Sequence, residues 1–153
     1  MDPAVYAIAT MDTKGRELLY TADRLREAGV PVVTVDVGTR NDPTVAADVT
    51  RQTVASHRAA VDPGSAVDDR DRGAAIAEIS EALTRFLVAE HEAGKVAGVI
   101  GLGGSGGTAL ITPAMRALPI GLPKLMVSTV ASGDTAAYVG CSDLCMMYSV
   151  VDV

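Results

Sequence analysis

Thr10-Met11-Asp12-Thr13-Lys14-Gly15 gathers two hydroxyls, a carboxylate and an ammonium in front of a helix-like segment, the favourable end for an anion. Further on, VIGLGGSGGT holds five glycines between Gly101 and Gly107. Such bare backbone turns with positive φ or approaches another group closely, at a cost in entropy. Ser128-Thr129-Val130-Ala131-Ser132-Gly133-Asp134-Thr135 adds four hydroxyls, a glycine and a carboxylate. Together these stretches read as donors for a phosphorylated ligand, with Thr10, Asp12, Thr13, Lys14, Gly15, Gly103, Gly104, Ser105, Gly106, Gly107, Thr108, Ser128, Thr129, Ser132, Gly133, Asp134 and Thr135 as candidate contacts. Asp36 is the candidate acceptor for a ribose hydroxyl, and Asp134 the candidate carboxylate for Mg2+.

Each motif has a plainer reading. The glycine run lacks the lysine of G-x4-G-K-[ST] and fits G-x-G-x-x-G only loosely, so by itself it is equally a tight helix-strand junction. Asp12 and Asp134 both read as helix caps as well. Lys14 alone reads as a solvated lysine. His57 and His91 stand without a catalytic partner, and no triad, carboxylate pair or metal-ligand spacing stands out. Nor does any arginine fall near the phosphate loops, which points to binding without rapid phosphoryl transfer.

The elements that must position these loops alternate. Strands are expected over Val5–Thr10, Val30–Val37, Val96–Leu102, Lys124–Val130 and Met146–Val151, and helices over Arg16–Ala28, Asp71–Ala93 and Thr108–Leu118. A short helix is expected over Thr50–Ala59, one helical turn over Asp134–Val139, and helix-start charges at Asp68–Asp71. Pro113 is tolerable only near a helix start or as a kink. The weakly patterned stretch from Gly38 to Asp69 reads as a functional excursion or a contact surface. Strand-helix alternation predicts an α/β fold, a doubly wound, mainly parallel Rossmann-like sheet of about five strands with its ligand at their carboxyl ends.

Composition agrees with that class. The 153 residues suit one domain, and with 48% hydrophobic but only 3% aromatic residues the core must be aliphatic, as in parallel sheets. A net charge of -6 without a basic run argues against nucleic acid as a partner. No apolar run is long enough to span a membrane, and no secretory leader is evident, so a soluble cytoplasmic protein without a membrane partner is expected. Cys141 and Cys145 read as buried structural thiols, and Met146 and Met147 as core or interface fillers.

The blocks ATMDTKGRE, VTVDVG, GVIGLGGSGGTALIT, AMRALPIGLPKLMVSTVASGD and YVGCSDLCMMYSVVDV resemble, nearly end to end, the Tm-one-like ATP-binding family. The resemblance implies an ATP-binding α/β region, with phosphate contacts from Thr13, Lys14, Gly15, Gly104–Thr108, Ser132, Gly133, Asp134 and Thr135. Family members carry a second α/β half, so residues 1–153 are expected to be the first half of a two-domain architecture. The face that half would cover, together with a mean hydropathy of +0.27, points to a following domain or a homodimer. The expected function is therefore nucleotide binding, ATP with Mg2+. The alternatives are half of an ATP-using or phosphometabolite-converting enzyme, a protein-interaction scaffold stiffened by nucleotide, and a site for a dinucleotide.

Overall fold

The computed structural model describes residues 2–58 and 72–149. Its strands are β1 (Ala4–Ala9), β2 (Val32–Asp36), β3 (Val96–Gly103), β4 (Lys124–Ser128) and β5 (Cys145–Tyr148). They pair in the order β2-β1-β3-β4-β5, every pairing parallel. The helices are α1 (Met11–Glu27), α2 (Arg51–Ala55), α3 (Arg72–Glu92), α4 (Ser105–Arg116) and α5 (Ala136–Val139), with a 3₁₀ turn over Thr129–Ser132. This is the Rossmann-like α/β arrangement expected from the alternation.

Side-chain alternation along each strand divides the sheet into two unequal faces. On one, Tyr6, Ile8, Val35, Val99 and Met126 pack under α3 and α4 through Leu83, Phe86, Leu87, Leu110, Ile111 and Met115. Each large side chain buried there contributes about 2 kcal/mol. On the other, Ala7 and Ala9 are small enough for α1 to lie close, through Leu18 and Met11. The register sets two rows across this second face, Ala7-Ile100-Leu125-Cys145 and Ala9-Leu102-Val127-Met147. Beyond β1 these rows are only partly covered, and Met147 is 51% exposed. Met146, pointing the opposite way, packs against the larger core.

Helix boundaries depart from the sequence expectation where glycine is concentrated. The turn Met11–Gly15 is already helical, with a break at Lys14 (φ -127, ψ 22), and α4 begins at Ser105, inside the glycine run. Of the helix expected to end at Ala59, Arg51–Ala55 forms behind a Thr50 cap, whose hydroxyl accepts the Thr53 N–H at 3.2 Å. Ala59, the Asp68–Asp71 charges and Val150–Val151 lie outside the described residues. Pro113 falls inside α4, near its last turn. Both cysteines are free and exposed, against the expectation of buried thiols, because Cys145 lies on the uncovered face of edge strand β5 and Cys141 in the loop before it.

One buried charge fixes the start of β4. The Lys124 ammonium, fully buried, donates to the carbonyls of Pro119 (2.7 Å) and Leu122 (3.1 Å) and pairs with Asp143 at 2.7 Å. The hydrogen bond from Lys124, joined by the Gly121 N–H, lowers the Asp143 carboxyl to about 2.

Candidate functional site

Between β1 and β3 the direction of the chain reverses. α1 leads away from β1 to β2 on one side, and α4 leads from β3 to β4 on the other, opening a crevice at the carboxyl ends of the strands. A cavity of about 140 Å³ occupies this crevice, lined by Thr10, Asp12, Thr13, Arg40, Gly106 and Gly107 among others.

The two helix starts that meet there differ in what they offer. On α1 three of the first four donors are spent: Met11 N–H on Asp36 Oδ1 (3.0 Å), Thr13 and Lys14 N–H on the Thr10 carbonyl (3.1 and 2.9 Å). On α4 the Thr108 N–H is taken by the Gly104 carbonyl at 2.9 Å, while helix geometry gives the N–H groups of Ser105, Gly106 and Gly107 no acceptor in the preceding turn. A Cβ on Gly106 would meet nothing within 4 Å. The α4 end is thus the open donor set, and the macrodipole adds partial positive charge.

The glycines of the cluster serve separate purposes, and none has positive φ. Gly103 permits contact: a Cβ there would lie 3.0 Å from the Gly107 backbone, so β3 and α4 abut only because it is absent. Gly101 leaves room for Met126, Ile111 and Met115. Close approach therefore explains Gly101 and Gly103, and a left-handed turn explains none of the run.

The remaining candidates separate by environment. Asp36 is 2% exposed, and its Oδ1 accepts the N–H groups of both Met11 and Gly38 (3.0 and 2.8 Å), holding the ends of β1 and β2 together. Gly15 is buried against Thr44 and Val45. Lys14 lies on the α1 side of the sheet, lining a different cavity with Leu102, Gly103 and Val127. Thr108 and Ser128 are fully buried and share a 2.5 Å hydrogen bond that ties α4 to the end of β4. In the Thr129–Thr135 loop, the Ser132 hydroxyl and the Gly133 N–H bond back to Thr129 and Val130, and Asp134 Oδ1 caps Ala136 N–H at 2.9 Å. Of the seventeen phosphate candidates, Thr10, Asp12, Thr13, Gly106 and Gly107 line the crevice.

Arg40 was missed by the sequence reading, which put no arginine near the phosphate loops. The loop after β2 brings it to the crevice wall, and the isolated bridge between Val35 and Val49 folds this stretch back onto β2. Asp48 fastens the return, its Oδ2 accepting both N–H and hydroxyl of Thr34 at 2.8 Å. The signal was the position of the Gly38–Asp69 excursion directly after a strand. Asp12 carries the other unusual feature: its Oδ2 accepts Asn41 N–H at 3.3 Å, while Oδ1 is buried without a hydrogen-bond partner. Among the described residues there is no cluster of three or more metal-ligating side chains, and no helix is long and apolar enough to cross a membrane.

Comparison with known proteins gives a consistent family. The profile of the uncharacterised protein family (UPF0261) N-terminal domain matches residues 3–153. A UPF0261 protein of Rhizobium meliloti is 53% identical over 97% of this chain and 36% of its own length. The ToMV resistance protein Tm-1(GCR237) of Solanum lycopersicum is 40% identical over 99% of this chain and 22% of its own length. A Clostridium tetani UPF0261 protein is 36% identical over the whole chain and 38% of its own length. The chain thus spans well under half of each of these relatives.

Proposed function

The chain belongs to the uncharacterised protein family UPF0261, as its N-terminal domain, and from that premise we propose that it binds a nucleotide, ATP, by its phosphates at the β1/β3 crevice. The observation that carries this reading is the open N-terminus of α4 at the point where the strand order reverses. Gly106 and Gly107 supply backbone N–H groups, and Thr10 and Thr13 supply hydroxyls. Mg2+ prefers one or two carboxylates with phosphate oxygens and water. Asp134 fits that role poorly because it caps α5, whereas Asp12 lines the crevice and has a buried carboxylate oxygen without a hydrogen-bond partner. When bound, the ion would screen the phosphate charge, with Asp12 as its protein ligand. A cytoplasmic location suits a nucleotide ligand and two free thiols. Resistance to ToMV, which the tomato relative's name states, is not carried over.

Calorimetric titration with ATP, with and without Mg2+ and against NAD as competitor, tests the reading. We expect saturable ATP binding below millimolar concentration, strengthened by Mg2+ and lost in Gly107→Val. No heat and no thermal shift at millimolar ATP would overturn it.

A second reading, half of an ATP-using enzyme, rests on Arg40 at the crevice and on the short share of its relatives that this chain spans. Parallel strands are ordinarily covered on both sides. The rows Ile100-Leu125 and Leu102-Val127-Met147 are the surface we give to the domain that follows in the longer relatives. In a chain extended through that domain, β4 amides should exchange more slowly and ATP should be consumed. Unchanged exchange at β4, or self-association of the short chain through this face, would reject that occupant.

A further inference from the structure

Beside the crevice a second cavity, of about 310 Å³, opens between the loop after β2, α2 and α3, and the two share Thr39 and Arg40 as a common wall. Three arginines line it, Arg40, Arg51 and Arg58, together with Gln52, and the Arg51 guanidinium also donates to the Asn41 carbonyl at 2.5 Å. Among the described residues none of those lining it is a carboxylate, in a chain whose net charge is -6. Two of the arginines have a carboxylate partner that does not line the cavity. Arg51 is held at 2.9 Å by Asp42, whose side chain is 97% exposed, and Arg58 by Glu78 at 3.5 Å. Arg40 has no ion pair among the described residues.

Arg40 thus leaves a positive charge at the hollow that an entering anion would offset, and the planar guanidinium fork matches phosphate oxygens in pairs. The crevice alone has less room than small-molecule sites usually offer, whereas the adjoining cavity brings the site into that range. We propose that the Arg40/Arg51/Arg58 cavity is a phosphate-binding site continuous with the crevice, taking a phosphoryl group beyond the one held at α4. This deepens the nucleotide reading by naming where a further phosphate sits. That phosphate comes either from the tail of the nucleotide or from a second, phosphorylated substrate.

The probe is inorganic pyrophosphate, which carries no nucleoside. Titrated into the full chain, it should bind with an affinity that falls as salt is raised and that drops at least tenfold in Arg40→Ala. Arg40 is exposed, so this variant should keep its fold, checked by circular dichroism; Arg51→Ala should repeat the loss, and Arg85→Ala, an exposed α3 arginine paired with Glu81, should not. Competition between pyrophosphate and ATP identifies the nucleotide's own tail as the source, and simultaneous binding identifies a separate substrate; both support the site. Pyrophosphate binding that ignores Arg40 and Arg51, or no pyrophosphate binding, overturns it. The nucleotide reading fails separately, through absence of ATP binding while pyrophosphate still depends on Arg40.

Discussion

Asp36→Ala should lower the stability of the protein by about 3 kcal/mol, because a single buried oxygen serves two backbone N–H groups and each would be left unpaired at a cost of roughly 1–3 kcal/mol. For a chain of this length the loss corresponds to a fall in Tm of about 10 °C. Asp36→Asn, which keeps a carbonyl oxygen in the same place, should retain most of the stability. Denaturant or thermal melts of the two variants check this. A residue that only bound ribose would behave oppositely, with ATP affinity falling while Tm stayed constant, and that result would return Asp36 to the ligand.

Within the glycine run, two substitutions should act in opposite directions. Gly103→Val places side-chain carbon where the Gly107 backbone and the Thr108 nitrogen already lie, 3.0 Å from the new Cβ. Backbone on both sides cannot yield as a flexible side chain would, so α4 must move away from β3. We expect a loss of about 1–3 kcal/mol, of the size seen for overpacking. The open N–H groups would tilt with the helix, and ATP binding should weaken at least tenfold. Gly106→Ala meets no neighbour within 4 Å and lies in the first turn of α4, so it should raise stability by about 0.5–1 kcal/mol. Melting curves and titrations of both variants decide the matter. Equal stability in Gly103→Val and the parent would mean that the junction is not tight.

Strand positions, and with them the parallel Rossmann-like sheet, were legible in the sequence because a strand buried between helices must be continuously apolar. VPVVTVDV and KLMVSTV could be little else. The β1/β3 crevice was legible in part, through hydroxyls and glycines collected just after strands. Legibility stopped where local chemistry has two outlets. An aspartate after a strand can face a ligand or a neighbouring backbone, and Asp36 takes the backbone. The hydroxyls of Thr108 and Ser128 can bind a phosphate or each other, and they bind each other. Cys145 reads as a core residue until the register sets it on the uncovered side of an edge strand.

By itself, then, the sequence determined the periodic elements, the parallel sheet and the positions after strands from which a site could be built, since these follow from hydrophobic pattern and chain length over neighbouring residues. Tertiary structure alone decided which of two helix starts keeps the larger set of free donors, which face of the sheet lies open, and that Arg40, Arg51 and Arg58 line one hollow. Those outcomes depend on the β2-β1-β3-β4-β5 strand order and on the fold of the loop after β2. Contacts between residues distant in the chain set both, and a local pattern carries no record of them.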